Sequence, residues 1–222
     1  MGGRGGLGHY PGTYGRTPDF SGFYVPRTLR EAIDTHLRLE SFTDAMWNAI
    51  PAEERDAIRA YTGNAYVPIN DALFGKNAAS SGTQRLIDLA TQGMDRFEAK
   101  FDFVAVRGDK PGDMASLLQG TVAQLSNPAF LRSRIGKEFE FKGFMSSAVH
   151  EDAAWTWKGV TTVIKTPKGT KGIYIDSVSV HNGEREFLFQ RGTKLKALKI
   201  ETNANGRLNK IYFEVVPPKK RH

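Results

Sequence analysis

Apolar positions along the chain change period near residue 101. Before that point, Leu29, Ile33 and Leu37 recur every four residues, and Phe42, Ala45, Met46, Ala49 and Ile50 extend an apolar face, which predicts helices over roughly 28–50. Pro51 marks a new start, so Glu53 to Tyr61 reads as a second helix stopped by Gly63. Pro68 to Phe74 reads as a third, and Thr83 to Phe97 as a fourth with Leu86, Leu89, Ala90 and Phe97 on one side. From Phe101 onward the period shortens: Phe101, Phe103 and Ala105 alternate with Asp102, Val104 and Val106 in the manner of a strand. Strand-like runs follow at Glu138–Met145, Val160–Lys165, Gly172–Ile175, Glu186–Gln190, Lys194–Ile200 and Lys210–Val216, with helices near Asp113–Leu118 and Glu151–Trp157. Helices first and mostly hairpin-linked strands afterwards predict an α+β fold with antiparallel sheets, because parallel pairing needs a crossover.

Composition narrows the class. A length of 222 residues suits one generous domain with a tail, and 40% hydrophobic residues are enough to bury a core. The expected organisation is a Gly-rich leader over 1–22, a single domain over 23–216 and a basic tail over 217–222. No apolar stretch approaches the roughly 20 residues of a spanning helix. Nor does the start carry the unbroken apolar core of a secretory signal, so any export is expected to be signal-independent. The absence of cysteine excludes disulfides, zinc–thiolate and iron–sulfur sites and a thiol nucleophile. The net charge of +7 is a C-terminal property: residues 190–222 hold nine Lys/Arg and two Asp/Glu, and the rest is balanced. Two readings stand for that basic stretch, a solvated strand face with a tail, or contact with an acidic partner or nucleic acid.

Chemistry-bearing motifs are few. Gly3-x-Gly5-x-x-Gly8 matches a dinucleotide-binding fingerprint in form, but no predicted strand precedes it and no helix opens on it. The histidines lack metal-ligand spacing, and no metal site is expected. Glu184-Arg185-Glu186 places two carboxylates two apart at a loop-to-strand junction, where an extended chain projects both to one face; a charged edge strand would show the same pattern. Val104-Ala105-Val106-Arg107-Gly108 ends an apolar strand in an arginine, a planar cation able to fork a phosphate or to form a salt bridge. Gly143-Phe144-Met145-Ser146-Ser147 ends another in a hydroxyl pair, otherwise a turn signal. Arg107 and Ser146 are 39 residues apart and Ser146 and Glu186 are 40 apart, spacings that let three strand ends meet at one cleft.

In these features the chain resembles the mono-ADP-ribosyltransferases of the Arg-Ser-Glu class, particularly the enzymatic components of clostridial binary toxins and their insecticidal and phage-encoded relatives. The likeness runs from about Tyr61 to Ile200. It includes Tyr61-Thr62-Gly63-x-x-Tyr66-x-x-Ile69-Asn70, the strand ending in Arg107, the Gly143–Ser147 segment, Thr166–Tyr174, and Glu184-x-Glu186-x-Leu188-x-x-Arg191-Gly192-Thr193. The resemblance implies two packed antiparallel sheets flanked by helices around an NAD-binding cleft. It also implies roles: Arg107 on the pyrophosphate, the Gly108 backbone on the nicotinamide amide, and Tyr61, Tyr66 and Asn70 near the phosphates and ribose. Ser146 would hold the catalytic Glu186, and Glu184 would direct the enzyme to an arginine acceptor.

The chemistry fits those roles. Cleaving the nicotinamide–ribose bond builds positive charge on the sugar, which a carboxylate at Glu186 would stabilise. A protonated guanidinium is not nucleophilic, so a second carboxylate, Glu184, is needed to orient it and take its proton. Two departures from the family pattern stand out: Ala148 replaces the third hydroxyl of the Ser-Thr-Ser element, with Ser147 for the threonine, and His181 replaces the aromatic that often contacts the acceptor. His150 to Gly159 corresponds to the loop over phosphate and nicotinamide, with Trp155 or Trp157 as its stacking aromatic or, alternatively, as core packing. The expected function is NAD+-dependent transfer of ADP-ribose to an arginine of a host or target protein, by a toxin or phage effector. The alternatives are transfer to RNA, NAD+ hydrolysis, and a non-catalytic phage structural or interaction module. NAD+ and a protein acceptor are the expected partners; an immunity protein plugging the cleft fits the same reading, and nucleic acid ranks behind.

Overall fold

The computed structural model describes residues 12–23, 29–150, 154, 156–181, 183 and 185–217. Glu184, Trp155, the Gly3–Gly8 motif and the basic tail beyond Pro217 lie outside the described residues.

The N-terminal half is helical, as its period predicts. Helix α1, Leu29–Trp47, is followed by α2, Ala52–Ala60, one π-helical turn over Tyr61–Ala65, α3, Tyr66–Leu73, and α4, Ser81–Met94. Gly63 breaks the helical path between α2 and α3 with φ −96° and ψ −135°. Ser80 caps α4 by accepting from the Thr83 N–H at 3.1 Å, which satisfies one of the free donors at a helix start. The face of α1 that packs inward differs from the one its apolar period predicts. Ile33 and Leu37 are exposed, whereas Thr35, Leu39 and Thr43 are buried. The threonine hydroxyls are satisfied within the protein, by the Glu31 carbonyl at 2.8 Å and the Tyr174 carbonyl at 2.6 Å, so their burial leaves no unpaired donor.

The second half supplies strands β2, Phe103–Asp109, β3, Glu138–Phe141, β4, Met145–Ala148, β5, Val160–Thr166, β6, Gly172–Tyr174, β7, Glu186–Phe189, β8, Thr193–Thr202, and β9, Leu208–Val215. Helices α5, Pro111–Leu117, and α6, Pro128–Arg134, lie between β2 and β3. Thr13–Gly15, within the stretch expected to be a leader, forms a further strand, β1, on the edge of β8 that also pairs with β3. The strand order is β1-β8-β9-β5-β2-β4-β7-β6, with β3 beside β1 on β8.

The expectation of antiparallel pairing throughout needs one correction, because β5 and β9 run parallel. The chain makes that crossover through β6, β7 and β8 instead of through a helix. The two packed sheets are also joined into one hydrogen-bonded path. The junction is slight: β2 meets β4 only at Val106 and Ala148, while β2 pairs with β5 over its whole length. The two halves fold face to face across that junction, with Phe103 of β2 edge-on to Phe187 of β7 at 5.0 Å and Phe187 edge-on to Phe189 at 4.9 Å. Such pairs add about 0.5–1.5 kcal/mol each beyond the area they bury. A second core lies between the helices and the outer face of β4, β6 and β7, built from Ile58, Ile69, Ile87, Met94, Phe144, Ile173 and Leu188. Between these two cores the ends of β2, β4 and β7 open into a cleft.

Carboxylates from outside the basic stretch meet part of its charge: Lys194 and Lys196 of β8 stand opposite Glu140 and Glu138 of β3. Lys199 forms an ion pair with Glu201, and Glu214 pairs with Lys165 of β5. These lysines therefore sit in a charge-balanced strand face.

Candidate active site

Arg107 stands near the C-terminal end of β2, on the same face that buries Phe103 and Ala105 deeper in the strand. Its guanidinium is fixed on three sides. Nε donates to Asp109 Oδ1 at 2.9 Å, Nη2 lies 2.7 Å from the same oxygen, and Nη1 donates to the Ser146 carbonyl at 3.1 Å. The Phe141 ring lies below it at 5.0 Å. Asp109 is itself buried and held by the Thr162 hydroxyl at 2.6 Å. The salt-bridge and anion-binding readings of this arginine are thus compatible: Asp109 orients the fork and leaves donors for a ligand. Lys158, on a short 3-10 turn over Thr156–Lys158, adds a second positive charge to the cleft. Burial, reinforced by the neighbouring Arg107 charge, pulls its ammonium below the usual lysine range.

The opposite wall comes from the α2–α3 kink. The Tyr61 hydroxyl donates to the Phe144 carbonyl at 3.0 Å and accepts from Asn70 Nδ2 at 3.0 Å. Burial pushes the Tyr61 phenol well above its usual value, so it stays protonated and keeps donating. This relay fixes the Asn70 amide with its Oδ1 buried and, among the described residues, without a hydrogen-bond partner. Gly143 leaves the room for it, since a Cβ there would lie 2.6 Å from Asn70 Oδ1 and 3.0 Å from the Phe74 ring. Tyr66 is half exposed at the mouth.

The floor is β4 against β7. Ala148 pairs with Glu186 and Ser146 with Leu188, so Ser146, Ala148 and Glu186 share one face, with Ser146 diagonal to Glu186. Glu186 is 8% exposed, and its carbonyl accepts from the Ile175 N–H at 2.9 Å. The Ser147 hydroxyl, also in the cleft wall, is buried without a partner.

Together these walls enclose a cleft of about 1280 Å³ that gathers Tyr61, Tyr66, Asn70, Arg107, Gly108, Ser146, His181 and Glu186. Trp157 is not brought to it: it is 79% exposed, and Lys158 lines the cleft in its place. Asp109, Phe141, Gly143 and Lys158 belong to the site without having been given roles of their own. Gly143 lies in the motif that carries the resemblance, Lys158 in the loop expected over phosphate and nicotinamide, and Asp109 two residues after Arg107 on a strand, hence on its face.

Residues 40–216 match the family model described as ADP-ribosyltransferase exoenzyme. The chain belongs to this family. Among curated exoenzyme relatives, it is 24% identical over 168 residues to the NAD(+)-arginine ADP-ribosyltransferase EFV of Enterococcus faecalis, a match covering 70% of this chain and 31% of that protein. It is 23% identical over 155 residues to Mono-ADP-ribosyltransferase C3 of Hathewaya limosa, covering 65% of this chain and 62% of that one. The chain thus spans less than two thirds of the length of both. The solved structure of C3stau2 from S. aureus with NAD superposes with a TM-score of 0.71 at 20% identity, covering 88% of this chain and 99% of that one. The exoenzyme fold is therefore shared, including the α+β organisation expected from the period of apolar residues.

Proposed function

We propose that this exoenzyme transfers ADP-ribose from NAD+ to an arginine side chain of a target protein, acting as a toxin or phage-encoded effector. The observation that carries the reading is the convergence of a fixed guanidinium, Arg107, and a buried carboxylate, Glu186, on one cleft. The cleft also fits a dinucleotide by the polar atoms it leaves unpaired: Asn70 Oδ1 is an acceptor and Ser147 Oγ a donor or acceptor, both buried and without partners among the described residues.

When bound, NAD+ supplies a cationic glycosidic bond whose cleavage releases nicotinamide as a neutral base, so no general acid is required. Arg107, aimed by Asp109, binds the pyrophosphate with Lys158 as a second cation. Glu186, held by strand pairing in a site largely closed to water, stabilises the positive charge that develops on the ribose. Ser146 is on the face from which a hydroxyl steadies that carboxylate. Glu184 orients the incoming guanidinium and takes its proton as the new nitrogen–carbon bond forms. The name of the Enterococcus faecalis relative supports arginine as the acceptor. Among the described residues, no helix is long and apolar enough to cross a membrane.

The test is incubation with labelled NAD+ and bacterial or eukaryotic lysate, followed by hydroxylamine. Protein label that hydroxylamine releases, lost in Glu186→Ala and Glu184→Ala, with NAD+ hydrolysis surviving only in Glu184→Ala, is the expected result. Label stable to hydroxylamine would overturn the arginine assignment.

A further inference from the structure

Outside the cleft, one carboxylate organises the backbone around the two glutamates. Asp176 lies in the turn that follows β6 and is buried, 8% exposed. Its Oδ1 accepts from the Gly183 N–H at 3.0 Å and from the Arg185 N–H at 2.7 Å. These two amides flank Glu184 in the chain. Both residues have positive φ, 95° for Gly183 and 47° for Arg185. For Arg185 that conformation is disfavoured and needs outside support. Asp176 supplies it from one side, and the Val149 N–H, donating to the Arg185 carbonyl at 3.1 Å, from the other.

Helix α1 holds this turn from behind. His36 bonds to the Tyr174 hydroxyl and places Nδ1 4.0 Å from Asp176 Oδ2; Thr43 bonds the Tyr174 carbonyl at 2.6 Å; Asp44 accepts from the Ser177 hydroxyl at 3.0 Å. Glu186 has a support that Asp176 does not supply, the β ladder, in which it pairs with Ala148 of β4. Of the two glutamates, only Glu184 is flanked on both sides by amides that Asp176 binds.

Resting on the function proposed above, we infer that Asp176 is a positioning residue for acceptor attack: it fixes the chain on both sides of Glu184 and thereby governs transfer, while bond cleavage at Glu186 proceeds without it. Asp176 is not among the described residues that line the cleft.

The experiment measures NAD+ hydrolysis and transfer to protein for wild type, Asp176→Ala and Asp176→Asn, with thermal melts to check folding. Losing a charged acceptor of two amide hydrogen bonds should lower transfer by Asp176→Ala about tenfold to a hundredfold, with hydrolysis changed less than about threefold. Asp176→Asn keeps an oxygen for both amides and should retain transfer within about threefold of wild type. Should the alanine variant fail to fold, Asp176→Ser fills the space with a hydroxyl too short to hold both amides and carries the same expectations. Transfer and hydrolysis falling in parallel, or transfer unaffected in Asp176→Ala, would overturn the inference. Wild-type protein that neither hydrolyses NAD+ nor transfers would instead overturn the functional reading on which it rests.

Discussion

Arg107 is useful because it is held in place. A lysine at this position would keep the charge but could not bond Asp109 and the Ser146 carbonyl at once while leaving forked donors for a phosphate. Arg107→Lys is therefore expected to weaken NAD+ binding by about tenfold or more, measured by calorimetric titration, with little change in melting temperature. Asn70 is reached through a chain of residues, so a distant change disturbs it. Gly143→Ala would drive a methyl group against Asn70 Oδ1, 2.6 Å from the ideal Cβ, and break the relay from Tyr61. A fall in NAD+ affinity of about tenfold is expected, and unchanged affinity would show that Asn70 Oδ1 does not face the ligand. At this scale the sequence was informative where a residue ends a strand, as at Arg107 and Glu186. It showed Phe141 and Gly143 only as members of a motif and Lys158 only as part of a loop, because space left beside Asn70 and contact with Arg107 are relations that the folded chain creates.

Elements were legible where their period is strong. The helices of the first half and the strands of the second follow from apolar spacing, and the break at Gly63 from its composition. Helix α1 is the exception. Its buried face carries Thr35 and Thr43, whose hydroxyls find carbonyl partners only in the folded chain, so hydrophobicity alone selected the wrong face. The α2–α4 pair is pinned by Glu54, buried and held by a two-pronged contact from Arg96 at 2.8 and 2.9 Å. That hydrogen bonding holds the Glu54 carboxyl below its ordinary value of 4.5, against the opposing effect of burial. A depressed carboxyl stabilises the fold above its unfolded value, and that stabilisation disappears as pH falls through the lower folded value. The melting-temperature gap between wild type and Glu54→Gln should accordingly be widest near neutrality and narrow below about pH 4, as followed by circular dichroism. A gap independent of pH would show that the pair contributes through packing alone.

For the whole molecule, the cleft is a consequence of topology. It forms where two half-sheets joined by one residue pair diverge and the α2–α3 kink closes the gap, so its floor, wall and mouth come from segments more than a hundred residues apart. The parallel β5–β9 pair was not legible, since nothing local distinguishes a parallel from an antiparallel partner when the crossover is made of strands. Nor was the partial offset of the basic stretch, which comes from Glu138 and Glu140 standing opposite Lys196 and Lys194.

The proposed transfer of ADP-ribose to a guanidino nitrogen can be observed without knowing the protein acceptor. Incubating purified wild type and Glu186→Ala with NAD+ and a small guanidino compound, and weighing the products by mass spectrometry, tests it most directly. Wild type is expected to give an ADP-ribosylated guanidine with at least an equal amount of nicotinamide, and Glu186→Ala neither. Nicotinamide released at the same rate by both proteins, or no conjugate from a folded wild type, would contradict it.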